Sequence, residues 1–277
     1  MFRTIKVKLP RVYEKAQLLK MHLQHYKTVL FCGKNRDLMK FKDKHKGQRC
    51  FIVATGPSLT IEDLELIKDE VCFGVNSCIK SFDKTQWRPR YLCVSDWRVW
   101  ERIGAEICEV SKEIETLFLG KSAGVCSLGN CVQFVQDERP STYLETEYRK
   151  RTKKEKKSCR LYLSQKPDYY FCDGPTVIFS VIQLAVYMGF SEIYLLGTDC
   201  NYQGKDLYSS FASYQNAPIP DNAEEKLIFS YIKVKQELEE RKIGVKIFNV
   251  TRGGMLEVFE RKHLESVLNS DKKDLSC

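Results

Sequence analysis

The sequence predicts an α/β fold: a Rossmann-like, mostly parallel sheet with helices on both faces, preceded by a basic helical N-terminal extension. Three observations carry this. Short apolar runs recur from Cys50 onward, at 50–55, 71–76, 91–96, 116–120, 192–199 and 246–251. Unbroken runs of this length suit parallel strands covered on both faces, which have no solvent side to alternate toward. Segments with helical apolar spacing lie between them, and polar residues gather at the run ends.

The first run enters the most informative turn of the chain. Phe51 to Thr55 read as a buried strand, and Gly56-Pro57 ends it sharply. Ser58 and Thr60 then stand where a helix N-cap belongs, before acidic Glu62 and Asp63 and an apolar face opening at Leu64 and Ile67. A strand that enters a helix through a glycine turn aims backbone N–H groups at one spot, which suits a phosphate. The turn is neither a dinucleotide fingerprint nor a Walker A loop, and taken alone it is equally an ordinary strand-to-helix connection.

The clearest helix is expected at 175–189, capped by Asp173 or Gly174, with Pro175 in its first turn. Val177, Ile178, Val181, Ile182, Leu184, Ala185 and Met188 line one face, and Gly189 ends it. A second helix is expected at about 222–242, with Leu227, Ile228, Tyr231, Ile232 and Leu238 inward and Gly244 just beyond. Between the two halves, 145–160 is strongly charged without an apolar stripe and reads as an exposed loop.

Composition narrows the function classes. The chain has 277 residues, 43% hydrophobic and 29% charged, as expected of a globular protein. No apolar run approaches the ~18 residues of a membrane span, and no signal-peptide core opens the chain. Its 12 cysteines are scattered, without C-x-x-C pairs or neighbouring histidines at zinc spacing. They read as reduced, mostly buried thiols of a cytoplasmic protein. Residues 1–49 hold 14 Lys or Arg against 3 Asp or Glu, a net of +11, whereas the remainder is at −2. The expected organisation is a basic extension over 1–48 and a Rossmann-like domain over 49–277, with the charged loop near 145–160. Val12, Ala16, Leu18, Leu19, Leu23 and Tyr26 allow an amphipathic stripe in the extension. An anionic membrane surface at the inner face of the plasma membrane and plain packing on the domain both fit it. Nucleic acid is not an expected partner.

In an open parallel sheet, ligands bind beyond the carboxyl ends of the strands. Thr55, Gly56, Asn76, Asp96 and Asp199 all occupy such ends.

The motifs T-G-P-S-L at 55–59, G-V-N at 74–76, D-G-P-T-V at 173–177 and M-G-F-S-E-I-Y-L-L-G-T-D at 188–199 resemble the bacterial 6-hydroxymethylpterin pyrophosphokinase-like family of polysaccharide gene clusters. The stretch 244–261 fits it as well. The same motifs are similar to the bacterial CMP-sialic acid-dependent sialyltransferases. That second resemblance implies that Gly56, Pro57, Ser58 and Asn76 hold the nucleotide, and that Tyr202 and Tyr208 steady the departing phosphate. Neutral phenol donors can do so without a metal. Where those relatives carry a histidine, this chain reads Ser209-Ser210-Phe211, and its four histidines are His22, His25, His45 and His263. Proton removal then falls to a carboxylate, with Asp173 and Asp96 as candidates, to His263 arriving from the C-terminus, or to nothing, with Asp199 tying down its loop. Thr55, Gly174 and Ser210 complete the expected substrate-binding set. The expected function is transfer of a CMP-activated, sialic-acid-like sugar onto a bacterial surface glycan, with nucleotide-sugar donor and glycan acceptor as partners and no metal or cofactor. The alternatives are a pterin diphosphokinase using ATP and Mg²⁺, and an inactive nucleotide-sugar-binding module.

Overall fold

The structure is a computed structural model and describes residues 35–137, 163–169, 171–201 and 223–274. Eight strands form one sheet, entirely parallel, in the order β10-β9-β8-β1-β2-β3-β4-β5. These are β1 (Arg49–Val53), β2 (Cys72–Val75), β3 (Tyr91–Val94), β4 (Thr116–Gly120), β5 (Cys131–Phe134), β8 (Glu192–Leu196), β9 (Lys246–Asn249) and β10 (Glu260–Arg261). A separate two-stranded pair joins β6 (Gln136–Asp137) to β7 (Phe171–Cys172). The chain steps outward from β1 to β5, then returns to place β8 on the other side of β1, paired Val53 to Leu196.

Helices cover both faces, which is why the strand runs are apolar throughout. Successive side chains of a strand point to opposite faces. Cys50, Ile52, Phe73, Tyr91, Phe118, Ile193 and Leu195 join one core, packed by α3 (Val177–Tyr187) and α4 (Ala223–Glu240). Phe51, Val53, Leu92, Leu117, Leu119, Tyr194 and Leu196 join the other. That second core is packed by α1 (Ile61–Leu66), α2 (Trp97–Glu109) and α5 (Leu264–Asp274).

The strand and helix expectations hold in number and place for the six strands and the helices at 61, 175 and 222. The ends move, for identifiable reasons. β2 stops at Val75 because Asn76 takes a left-handed φ of 49°, and β8 stops at Leu196 because Gly197 turns at φ 68°. The cap of α3 is Thr176, whose Oγ accepts from the Ile178 N–H, rather than Asp173 or Gly174. At α1, Thr60 and Asp63 form the reciprocal capping box that the acidic first turn suggested. Helices α2 and α5 and strands β5, β6, β7 and β10 were not anticipated from the sequence.

Residues 35–48, assigned by sequence to the extension, pack on the domain. Leu38 and Phe41, on the 3-10 turn Arg36–Phe41, are buried in the first core. The Asn35 amide donates to the carbonyls of Val135 (3.1 Å) and Pro167 (3.0 Å) and accepts from the Val135 N–H (2.7 Å). Residues 1–34 and the charged stretch 145–160 lie outside the described residues. Gln183, in the middle of α3 and fully buried, accepts from the Ser164 and Cys172 N–H groups and donates to the Cys172 carbonyl. One polar side chain thus holds β7 onto the helix. Among the described residues no helix is long and apolar enough to cross a membrane. The nine described cysteines are free, six of them buried.

His45 supplies a test of this packing. Its ring is 3% exposed and stacks on Phe190 at 4.6 Å. Nδ1 faces the Gln48 amide oxygen at 2.8 Å and Nε2 faces the Tyr91 hydroxyl at 2.7 Å, an arrangement that satisfies the neutral ring. Burial lowers its pKa, the Gln48 hydrogen bond opposes this, Arg90 and Lys44 add to the lowering, and Glu115 opposes. The unfolded ring takes up a proton below about pH 6.5 while the folded ring resists, so stability is lost as pH falls below that value. The unfolding midpoint should fall between pH 7 and pH 5, and His45→Phe should flatten that part of the profile. Urea unfolding of both proteins across this range checks it.

Candidate functional site at the carboxyl edge of the sheet

The order of strands reverses between β1 and β8, and that gap is where a crevice is expected in an open parallel sheet. Here the protein fills it with its own side chain. Asp199, 7% exposed, follows β8, and its Oδ2 accepts from the Ser58 hydroxyl at 2.9 Å. The Ser58 backbone N–H also bonds this carboxylate. Burial raises the Asp199 pKa, and the Ser58 donors and Arg261 pull against that rise. Gly56 lies flat on the same group: a Cβ at this position would come within 1.9 Å of Asp199 Oδ2 and 2.4 Å of the Gly197 carbonyl oxygen, far inside van der Waals contact.

The glycine turn therefore does hold an anion, and the anion is Asp199. The Ser58 donors expected to meet a phosphate are engaged by this carboxylate. Pro57 is exposed beside them, and Thr55 is half-buried at the end of β1. The expectation that Asp199 ties down its loop matches this geometry. Its backbone carbonyl also accepts from the Met255 N–H at 2.7 Å, which joins the β9–β10 connection to the same point. From that connection Arg252 reaches α1, pairing with buried Asp63.

Asn76, Asp96 and Asp173 lie further along the sheet, past β1 toward β4. Asn76 begins the 3-10 turn after β2, and its Oδ1 is buried without a hydrogen-bond donor. A buried acceptor left unpaired costs about 1–3 kcal/mol, so it marks a place where a ligand N–H or O–H would be rewarded. Asp96, after β3, is exposed and caps α2, its Oδ1 accepting from the Arg98 N–H at 2.8 Å. Its other oxygen faces the Arg98 guanidinium at 3.9 Å.

Asp173 is placed differently. The C-terminal end of α3 packs against the segment leading into β1, with Asp43, His45 and Gly47 N–H groups donating to Tyr187, Met188 and Gly189 carbonyls. Its N-terminal end is therefore at the carboxyl edge, and Asp173 and Gly174 lead into it. Gln136 Nε2 donates to Asp173 Oδ1 and to Ser180 Oγ, both at 3.0 Å. The position is tight on the sheet side, since a Cβ on Gly120 would come within 2.9 Å of Gln136 Oε1 and 3.1 Å of the Ser95 Cα. Gly174 is pressed against Phe179 in the same way. Gln136 and Ser180 were not singled out in the sequence; the only signal was the alternation in C-V-Q-F-V-Q at 131–136. Tyr202, Tyr208 and Ser210 lie outside the described residues. Among the described residues, no group of three or more His, Cys, Asp or Glu could hold a metal ion.

A fully parallel sheet covered by helices on both faces defines an α/β protein of the doubly wound class. Residues 22–205 match the family described as 6-hydroxymethylpterin diphosphokinase MptE-like, and the chain belongs to that family. A solved structure, the MAf glycosyltransferase from Magnetospirillum magneticum AMB-1, is similar with a TM-score of 0.49 and 17% identity. That similarity covers 88% of this chain and 40% of the other. Comparison with curated proteins finds no match.

Gly56→Ala should be severely destabilising, by about 3 kcal/mol or more, because backbone on one side and a buried carboxylate on the other leave no direction for relief. Adding Asp199→Ala should recover only part of the loss, since the Gly197 carbonyl remains in the way. Thermal unfolding of the two variants against the parent measures both effects.

Proposed function

We propose that this chain is a transferase acting on a nucleotide-activated donor, with a CMP-activated, sialic-acid-like sugar as donor and a bacterial surface glycan as acceptor. The observation that carries the reading is the buried, donorless Oδ1 of Asn76 at the carboxyl end of β2. It stands in the G-V-N motif, whose asparagine the resemblance to CMP-sialic acid-dependent enzymes assigns to the nucleotide. The nucleotide lies along the edge from Thr55 and Asn76 toward Gly174 and the start of α3. Its phosphate sits outside the turn that Asp199 fills, so Gly56, Pro57 and Ser58 shape the wall instead of cradling the phosphate.

Asp173, held by Gln136, is the group that takes the proton from the acceptor hydroxyl. The acceptor oxygen then forms its bond to the anomeric carbon as CMP leaves with the former bonding pair. Tyr202 and Tyr208 donate to the phosphate oxygen on which charge develops, and Ser210 contributes to the acceptor side. No metal is required for this step.

A second reading, a pterin diphosphotransferase using ATP and Mg²⁺, is favoured by the family to which the chain belongs. Ligand-induced stabilisation distinguishes the two. A nucleotide at 100 times its dissociation constant raises stability by about 2.7 kcal/mol. CMP or CDP should do this without a divalent ion, and Asn76→Ala should weaken it by about tenfold, the worth of one hydrogen bond. Asp173→Asn should lower sugar transfer by ~10²–10⁴-fold with binding retained. Preferential stabilisation by Mg-ATP would establish the diphosphotransferase instead. Nucleotide binding with no turnover of any sugar donor would indicate an inactive binding module.

The acceptor chemistry also suggests a place of work, cytoplasmic and at the inner face of the plasma membrane. Residues 1–34 carry 8 Lys or Arg and one acidic residue. Each basic residue near an anionic bilayer contributes about 1 kcal/mol. Packing of the described domain starts at Asn35, so a chain beginning there should fold as the full chain does yet lose sedimentation with phosphatidylserine vesicles. Equal sedimentation of both forms would remove the membrane proposal.

A further inference from the structure

One large aromatic side chain stands exposed at the carboxyl edge. Trp97 is the first residue of α2 and is 52% exposed. An indole left this open is informative where a scattered surface leucine would not be. Trp100, three residues on and therefore on the same face of the helix, is half-buried against the second core. Gly124, in the β4–β5 crossover, lies flat on that second indole: a Cβ there would come within 2.3 Å of Trp100 Cδ1 and 2.5 Å of its Nε1. The next residue, Val125, is 85% exposed. Helical side chains lean toward the N-terminus, so Trp97 stands above this base and out over the edge.

Charge flanks the ring on either side in sequence. The Arg98 guanidinium lies 5.5 Å from the centroid of the Trp97 ring and 3.9 Å from Asp96 Oδ2. All three residues are exposed. The stretch of edge is also the one that Asp173 borders. Ser95 lies beside Gln136 across Gly120, where a Cβ would come within 3.1 Å of the Ser95 Cα and 2.9 Å of Gln136 Oε1. Gln136 in turn donates to Asp173. Asp173 thus approaches from the α3 side of the sheet and Trp97 from the α2 side.

We propose that Trp97, with Asp96 and Arg98 beside it, is a stacking platform for a pyranose ring. A pyranose has one face of C–H bonds, which packs on an indole, and a rim of hydroxyls. The Asp96 carboxylate accepts from those hydroxyls and the Arg98 guanidinium donates to them. The platform takes its place in the reaction from the sugar-transfer reading above, and its ligand from the surroundings of Trp97. The ring belongs either to the acceptor glycan or to the donor sugar.

Saturation-transfer NMR on the full chain decides the matter with CMP, CMP-N-acetylneuraminate and the disaccharide N-acetyllactosamine as probes. The expected result is saturation of sugar-ring protons that Trp97→Phe retains. Trp97→Ala should weaken sugar binding by about tenfold and leave CMP binding unchanged. Saturation of the disaccharide assigns the platform to the acceptor; saturation of the sugar of CMP-N-acetylneuraminate alone assigns it to the donor. No saturation of either sugar, or equal sugar binding by wild type and Trp97→Ala, overturns the platform whatever CMP does. Disaccharide contact that depends on Trp97, without CMP binding, upholds the platform while the CMP reading falls. Should Trp97→Ala fail to fold, the indole N–H resonance that Trp97→Phe removes gives the answer. It shifts in the wild type when sugar is added, and an unmoved resonance overturns the proposal.

Discussion

The contact between the Asp199 carboxylate and the turn at Gly56 to Ser58 organises the centre of this molecule. A buried carboxylate is costly unless donors surround it. Here the donors come from a segment more than a hundred residues away, from both the hydroxyl and the backbone of Ser58. Because Gly56 brings no side chain, β1 and β8 can continue their pairing past the strands, through Ala54 to Leu196 and Gly56 to Gly197. The Asp199 carbonyl then holds the β9–β10 connection, and Arg252 of that connection holds α1. Four segments thereby meet where the two halves of the sheet join, the turn through the Asp199 carboxylate, the β9–β10 connection through its carbonyl, and α1 through the Arg252–Asp63 pair.

The cost of that arrangement is the crevice itself. Doubly wound sheets ordinarily leave their switch point open for a ligand. This one closes it, and the unpaired acceptor lies instead beyond β2, at Asn76. Asn76, whose buried Oδ1 has no donor, and Asp173, held by Gln136, stand at that edge, and the proposed reaction is built on them.

Much of the architecture was legible because burial on both faces leaves a plain trace. Cys50 to Val53 and Tyr91 to Val94 are apolar at every position, and each position goes to one core or the other. Their ends were harder to read, since Asn76 and Gly197 terminate strands through backbone dihedrals that no composition rule specifies. Helix α2 leaves little trace in the sequence because its buried positions, Ile103, Gly104 and Ile107, are few and sit among charged residues. The G-P-S turn was recognised as an anion cradle, but its occupant is distant in sequence and could be found only in space. Likewise Asp173 was visible as a helix-entry carboxylate, whereas Gln136 acquires its meaning only through the pairing of β6 with β7. Tyr202 and Tyr208 stand on the sequence motif alone.

The pairing of β6 with β7 has a further consequence for how this chain can be altered. Gln136 sits opposite Phe171 and Asp137 opposite Cys172, while Gln183 grips Ser164 and Cys172 from below. β6 and β7 are thus fastened to each other by main-chain bonds and to α3 by an amide side chain. Two segments far apart in sequence therefore stay joined across this pair, and a substitution at Gln183 would loosen both at once, whatever is done to the chain elsewhere.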